Sequence, residues 1–154
     1  MKLAGDLVIA APRQAVFDEL RDARLFAACV AGVRDLQEID ASHYRAVMET
    51  KVAYIKFKFD VAVEVTRVEP PQLIEAKIEG TPHGIVGRLS ATSRTTLTEQ
   101  DEATRVEYEI EAALTGKLGS LGQPVIRSKA KDMERHFVEK LSAAFAARAV
   151  EAAR

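Results

Sequence analysis

The sequence predicts an α+β fold in which a curved antiparallel seven-stranded sheet wraps around one long C-terminal helix. Apolar and polar residues alternate with period two from Val33 almost to Leu114, which is typical of strands with one buried face. The last third instead has an amphipathic helical pattern that follows a glycine-rich turn. A single helix over a concave sheet leaves an apolar space between them, so this fold favours the binding of a small molecule.

The first forty residues are expected to form one strand and two short helices. Residues 2 to 11 alternate like a strand and are followed by Pro12, whose fixed φ suits a first helical turn. Asp22 is a suitable N-cap for a second short helix, and Gly32 is expected to end this pair. Two short helices are therefore predicted directly after the first strand.

Six further strands are predicted between Val33 and Leu114, with breaks near residues 41, 70, 83 and 101. In the clearest of them, Phe57, Phe59 and the valines at 61, 63 and 65 point to one face, while Lys58, Asp60 and Glu64 point to the other. The last strand has the same alternation, with its glutamates on the wet face. The sheet should therefore have one apolar face and one solvated face.

The final helix is expected to begin near Gln123, because Pro124 fits only within a first turn. Its apolar stripe should face the sheet and comprises Val125, Ile126, Met133, Phe137, Leu141 and Phe145. Gly116, Gly119 and Gly122 precede this helix without the Gly-Lys-Ser/Thr ending of a phosphate loop. We expect them to form a flexible joint that gates access beneath the helix.

Composition limits the possible functions. The chain has 154 residues and a formal net charge of −1, which fits one globular domain and gives little support to nucleic-acid binding. The single cysteine, Cys29, cannot form an internal disulfide, which favours a reducing cytoplasm. His43, His83 and His136 lack the spacing of a metal site, so neither a metal nor another cofactor is expected.

Three short motifs give the chain a family resemblance. They are Ala-Pro-Arg at 11 to 13, Cys-Val-Ala-Gly at 29 to 32 and Gly-Lys-Leu-Gly-Ser-Leu-Gly at 116 to 122, supported by Gly80, Gly84, Gly87 and the stretch 104 to 108. With the order of elements, they make the whole chain resemble the carbon monoxide dehydrogenase G-subunit (CoxG) family, which has the helix-grip fold of the START-like (SRPBCC) superfamily. Members usually carry a proline and a second cysteine where this chain has Ala31 and Val33.

The resemblance implies a non-enzymatic accessory protein of a molybdenum hydroxylase that carries an apolar molecule such as a quinone or lipid. Strand phase adds a set of inward-facing candidates for the ligand site, in which tyrosine hydroxyls would meet a polar ligand group: Tyr44, Met48, Phe57, Phe59, Ile85, Leu89, Tyr108, Met133 and Phe137. A register error of one residue would exchange each candidate for its neighbour.

Two alternatives stay open at this stage. Residues 118 to 154 contain seven Lys or Arg against four Asp or Glu, so the last helix could dock onto an acidic partner enzyme or peripherally onto the inner face of a membrane. Some START-like proteins are cyclases or hydrolases, which would require an inward-facing acid or base. The carboxylates of the two clearest strands all fall on the predicted wet face, which weighs against the enzyme.

Overall fold

The structure is a computed structural model that describes residues 1 to 152, with side chains described through residue 148. The chain begins with strand β1 (Lys2–Ile9), helix α1 (Arg13–Arg21) and helix α2 (Ala23–Ala28). Six strands follow: β2 (Val33–Glu38), β3 (His43–Val52), β4 (Ile55–Glu69), β5 (Leu73–Pro82), β6 (Gly87–Gln100) and β7 (Ala103–Thr115). A short helix α3 (Gly116–Gly119) leads into the long helix α4 (Gln123–Ala152).

All seven strands form one antiparallel sheet in the order β1-β7-β6-β5-β4-β3-β2. Consecutive strands from β2 to β7 are neighbours, and β1 joins the far edge by pairing with β7. The predicted fold class is therefore confirmed: a seven-stranded antiparallel sheet, two short helices after the first strand and one long C-terminal helix.

The N-terminal helices begin where the sequence indicated. Pro12 is the N-cap residue of α1, and the Asp22 carboxylate accepts hydrogen bonds from the backbone N–H groups of Arg24 and Leu25 at 3.1 and 3.3 Å. The buried Thr104 hydroxyl donates to the carbonyl oxygen of Ala11 at 2.8 Å. This contact fixes the turn between β1 and α1 against the start of β7.

The turn between β3 and β4 gave no signal in the sequence. It consists of Ala53 and Tyr54, which have φ values of 48° and 69°. Two-residue hairpin turns with both φ angles positive usually contain Asn or Gly, and neither is present here. The other breaks between strands lie where they were predicted.

The strand pairing gives each sheet face a defined set of side chains. Val63, Ile78 and Ala91 occupy one row across β4, β5 and β6, and Ser93 and Ile110 belong to the next row. These residues point to the concave face, toward α4, while Lys58, Asp60 and Glu64 lie on the convex face. The predicted alternation is thus confirmed.

Buried residues form two apolar clusters at opposite ends of the concave face. The α1 cluster joins α1, β1, β6, β7 and α4 and comprises Ile9, Ala11, Val16, Phe17, Cys29, Leu97, Val106 and Leu141. The α3 cluster comprises Phe57, Phe59 and Leu118, against which Met48, Val52, Val61, Ile85, Leu89, Leu114 and Leu121 pack. Helix α4 contributes Leu141 to the α1 cluster, and the segment that leads into α4 contributes Leu118 and Leu121 to the α3 cluster.

An ion pair between a buried carboxylate and an exposed guanidinium links α4 to α1 near the α1 cluster. The Glu19 side chain, on α1, is only 3% exposed and contacts the Arg148 guanidinium of α4. Burial, and secondarily the charge of Glu19, raise the pKa of the neighbouring Cys29 thiol, which is buried as expected. Cys29 is therefore held as a neutral thiol within the core.

Gly32 permits a close approach between backbones. Its φ of +84° lies in the left-handed region, its carbonyl accepts a hydrogen bond from the Glu49 N–H at 2.9 Å, and a Cβ at this position would overlap the Glu49 carbonyl oxygen. Gly84 has a similar φ of +74°, but a Cβ there would meet nothing within 4 Å. A side chain at Gly32 would therefore cause both backbone strain and steric overlap, whereas one at Gly84 would cause backbone strain alone.

We expect Gly32→Ala to lower the free energy of unfolding by about 2 to 3 kcal/mol, because strain and overlap with an immobile carbonyl act together. Gly84→Ala should cost only about 1 kcal/mol, since strain acts alone. Urea denaturation of both variants measures the difference. Equal losses would show that the approach of Gly32 to Glu49 contributes nothing.

Candidate ligand-binding cleft

One helix cannot cover the whole concave face. Seven strands spaced about 4.8 Å apart span about 29 Å, whereas a helix with its side chains is about 10 to 12 Å across. Helices α1 and α2 cover one end, and α3 covers part of the other. Apolar side chains between these ends are therefore left incompletely covered.

The uncovered area, which we call the central belt, lies between the two clusters. Its members face the concave side, are half-buried and belong to neither cluster: Val63, Val65, Ala76, Ile78, Ala91, Ser93 and Ile110. An apolar surface that is lined on one side by a sheet and on the other by a helix is suited to an apolar ligand.

Small side chains deepen the central belt. Ala76, Ala91 and Ser93 occupy inward positions of β5 and β6, where a closely packed sheet would carry larger residues. Gly80, in the adjacent row, is also buried, and a Cβ there would press against Leu89 at 3.3 Å. The small residues thus extend less far from the sheet toward α4 than larger side chains at these positions would.

One polar contact links the sheet to the middle of α4. The Tyr108 hydroxyl, on β7, donates a hydrogen bond to the Glu134 carboxylate, and both side chains are half-buried. Gly5 lies beside Tyr108 on β1, and a Cβ at Gly5 would overlap the phenol ring. The absence of a side chain at Gly5 therefore lets the Tyr108 ring lie flat across the edge of the sheet.

The Tyr108 phenol is held in its neutral form. Desolvation by burial, followed by the hydrogen bond to Glu134 and its negative charge, raises the pKa of Tyr108 well above its usual value. A neutral phenol that donates its proton to Glu134 still offers oxygen lone pairs, as does the carboxylate. The pair is therefore rich in hydrogen-bond acceptors.

Five of the nine predicted ligand residues come together in the α3 cluster. Phe57 and Phe59 are buried with their ring centroids 5.9 Å apart, and Met48, Ile85 and Leu89 pack against them. These five side chains are covered mainly by other protein groups. Their contact with a ligand stays a prediction.

The other four candidates are spread along the cleft. Phe137 packs against the α1 cluster with its ring 5.1 Å from that of Phe26, and Met133 is half-buried on α4. Tyr44 shares a row with Val63, but its hydroxyl donates to the Ala41 carbonyl at 2.7 Å. Both inward tyrosine hydroxyls, at 44 and 108, thus have partners within the protein.

Sequence reasoning missed the central belt and Glu134. Glu134 lies on α4, and the alternation of the two clearest strands carries no information about the carboxylates of that helix. The small inward residues of β5 and β6 were a readable signal, because they follow the period-two alternation. The large apolar residues predicted to contact the ligand lie mostly in the α3 cluster of the core.

The three glycines before α4 have different surroundings. Gly116 has a φ of +63°, and a Cβ there would overlap the Val86 carbonyl oxygen, while a Cβ at Gly119 would come within 2.7 Å of the Leu114 carbonyl oxygen. Gly122 has a φ of +87° and only Pro124 nearby, at 3.9 Å. The first two positions are closely packed, and the third has free space.

A depression of about 370 Å³ lies between the β1 edge and α4 and is lined by Asp6, Leu7, Lys131, Glu134, Arg135, Val138 and Glu139. Its walls are largely charged, unlike the central belt. Glu134 lines this depression and also accepts the hydrogen bond from Tyr108 on the sheet. Within residues 1 to 152, no group of three or more His, Cys, Asp or Glu side chains is arranged to hold a metal ion.

Solved structures with the same architecture define the class of protein. A conserved protein from Geobacillus kaustophilus superposes with a TM-score of 0.87 at 26% identity, and the alignment covers 95% of each chain. A START superfamily protein from Mycobacterium smegmatis superposes with a TM-score of 0.67 at 9% identity, over 92% of this chain and 94% of the other. The fold is therefore that of the START-like proteins.

The chain belongs to the carbon monoxide dehydrogenase G-subunit (CoxG) family, whose model matches residues 5–146. The resemblance drawn from the sequence is thus confirmed. Family and fold together indicate a ligand-binding accessory protein. No curated protein matches the chain by sequence. None of the helices in the described part of the chain is long and apolar enough to cross a membrane.

We expect Tyr108→Phe to lower the free energy of unfolding at neutral pH by about 1 to 2 kcal/mol, because it removes a hydrogen bond to a charged group. Tyr44→Phe, which removes a bond to an uncharged carbonyl, should cost about half as much. Chemical denaturation of both variants measures the contrast.

The Tyr108 contribution should depend on pH. Since the folded-state pKa is raised, the stabilisation by the neutral phenol is complete below the unfolded pKa of about 10 and is lost as pH rises toward the folded value. The stability difference between wild type and Tyr108→Phe should therefore stay constant from pH 7 to about 10 and shrink above it. A difference that grows above this pH would contradict the assignment.

Proposed function

We propose that this protein is a non-enzymatic carrier that binds an apolar small molecule, a quinone or a lipid, between the central belt and α4. The half-buried, apolar central belt is the observation that carries the proposal. Membership of the CoxG family supports it, because proteins of this family and fold generally bind ligands.

Burial of a small apolar ligand would supply useful affinity. Burying about 300 Å² of ligand at about 25 cal/mol per Å² supplies about 7 kcal/mol, which corresponds to micromolar binding when ordering costs are small. The strand hydrogen bonds hold the central belt in place before a ligand arrives. A preformed surface keeps the ordering cost low.

The Tyr108–Glu134 pair would orient the polar end of the ligand. Because the phenol proton is committed to Glu134, the pair presents acceptor lone pairs. A hydroxyl on the ligand, as in a reduced quinone or a lipid headgroup, would donate to these atoms. A carbonyl-only ligand would first have to displace Glu134 from the Tyr108 hydroxyl.

The family name supports a role beside a carbon monoxide dehydrogenase-type molybdenum hydroxylase. A carrier of this kind would bring an apolar electron acceptor to the enzyme or remove it, at the cytoplasmic side of the membrane. Docking onto the hydroxylase as an assembly factor is the alternative within the same family. Either role requires direct contact with the enzyme.

A START-like enzyme is the weaker alternative, although Glu134 provides the inward carboxylate that such an enzyme needs. Acid–base chemistry requires a group that exchanges a proton near neutral pH. The raised pKa of Tyr108 removes the phenol from that role. The pair is better suited to hold a ligand than to transform it.

The cargo can be identified by native mass spectrometry with organic extraction of the purified protein. A quinone or lipid bound in stoichiometric amount is the expected result. A protein that purifies empty and does not take up quinone or lipid analogues would contradict the carrier and favour the docking factor.

Filling the central belt should block ligand uptake. We expect Ser93→Phe to weaken binding of a quinone analogue by at least about tenfold, since the new ring occupies the space beneath α4. Thr92→Phe is the matched control, because Thr92 is adjacent in sequence and lies on the convex face. Fluorescence quenching or calorimetric titration measures both variants. Equal affinity in the two variants would place the ligand elsewhere.

Gating by the glycine joint would act through Gly122. Since Gly116 and Gly119 pack against neighbouring carbonyls, we propose that α4 swings about Gly122, releasing the hydrogen bond from Arg127 to the Lys2 carbonyl, while α3 stays in place. Hydrogen exchange should show protected amides in α3 and faster exchange at residues 122 to 126. Protection at 122 to 126 equal to that of the core strands would contradict the swing.

A further inference from the structure

The β3–β4 hairpin projects past the end of β5 and carries exposed apolar residues. Phe59 pairs with Pro82, the last residue of β5, whereas β3 and β4 continue pairing as far as Val52 and Ile55. Tyr54, in the turn, is 93% exposed. In the neighbouring loop, Val86 is 86% exposed. We call Tyr54, Ile55 and Val86 the apolar tip.

Lysines flank the apolar tip. Lys51 and Lys56 face each other directly across the hairpin, and Lys117 donates its backbone N–H to the Val86 carbonyl at 3.1 Å. Like charges placed directly opposite on a sheet destabilise it. Among residues 1 to 152, none of these three lysines forms an ion pair, whereas Lys58 and Arg34 share Glu49. The tip is therefore a local excess of positive charge.

The tip lies at one end of the candidate cleft. Val52, which precedes the turn, and Ile85, which precedes Val86, both pack in the α3 cluster. Leu118 and Leu121, at the start of the segment that leads into α4, belong to the same cluster. A surface that engages the tip would therefore lie against the end of the cleft where the glycine joint is located.

The chemistry of the tip fits a membrane better than a protein. Tyrosine and lysine are typical of the membrane–water interface, where the ring lies at headgroup depth and the ammonium groups meet anionic phosphates. A protein partner needs about 800 Å² from each side, more than two narrow loops present. Insertion into a bilayer requires only a few apolar side chains and basic neighbours.

We propose that the apolar tip docks peripherally on an anionic phospholipid bilayer, with Tyr54 and Val86 entering the interface and Lys51, Lys56 and Lys117 binding phosphate. This orientation presents the cleft end to the membrane, where an apolar cargo dissolves. Cargo transfer at that point rests on the proposed function. Docking is tested on protein without cargo, so a failure of membrane docking can be distinguished from a failure of the carrier function.

Vesicle co-sedimentation tests the charges. Wild type should bind vesicles of phosphatidylcholine with about one-third phosphatidylglycerol, weakly bind phosphatidylcholine alone and lose affinity in high salt. The double variant Lys51→Glu with Lys56→Glu should weaken vesicle binding at least about twentyfold, because each lysine near the membrane surface contributes about fivefold in affinity. Lys131→Glu with Lys140→Glu on α4 changes the net charge equally and should have little effect. Equal losses in both double variants would overturn the proposal.

The apolar residues are tested without disturbing the fold. Tyr54→Asn keeps a residue that tolerates positive φ, and together with Val86→Ser it should weaken vesicle binding about tenfold. Ile39→Ser removes another exposed apolar side chain at the opposite end of β3 and should leave binding unchanged. No binding of wild type to anionic vesicles would overturn the proposal and leave an acidic protein as the partner.

Fluorescence gives a direct readout, because the chain contains no tryptophan. Tyr54→Trp introduces a single indole at the tip, and its emission should shift to the blue when anionic vesicles are added. Ile39→Trp places the same fluorophore away from the tip and should not respond. An equal response at both positions, or none at the tip, would contradict this docking geometry.

Discussion

The architecture follows from a mismatch in width between one helix and seven strands. Alternating sequences give the sheet one continuous apolar face about 29 Å across, and a helix is about 10 to 12 Å across. The two ends of that face are closed by α1 and α2 and by α3, and α4 connects them. The residues between these ends are left half-buried. A surface of this kind is unfavourable in water unless a ligand covers it, which is the physical origin of the proposed cleft.

The few polar contacts between α4 and the rest of the protein set how the cleft can open. Near its C-terminal end α4 is held by the Glu19–Arg148 ion pair, and in its middle by the Tyr108–Glu134 hydrogen bond. Near its N-terminal end the Arg127 guanidinium donates to the Lys2 carbonyl oxygen of β1 at 3.0 Å, and the helix follows Gly122, where a Cβ would meet only Pro124. The helix is thus attached to the rest of the protein near both ends and in its middle. The proposed swing about Gly122 requires the Arg127–Lys2 contact to break, at the end of the molecule that carries the apolar tip.

The proposed membrane contact, hinge and ligand site follow one another along the molecule. The membrane is the reservoir of quinones and lipids, and transfer from it without exposure to water requires the cleft to open at the bilayer surface. The tip, the glycine joint and the central belt lie in that order from the end of the molecule inward. The acceptor-rich Tyr108–Glu134 pair lies further in, where the polar end of a bound molecule would meet it.

The sequence by itself determined the element order, the faces of the strands and the start of α4, because these depend on local periodicity and on Pro12, Asp22 and Pro124. Family membership also followed from short motifs. Tertiary structure decided which inward residues pack together and which stay uncovered. Phe57 and Phe59 became core because Leu118 covers them, while Ser93 and Ala91 stayed half-buried. Alternation reports only the face of a residue, whereas burial depends on what a distant segment places over it.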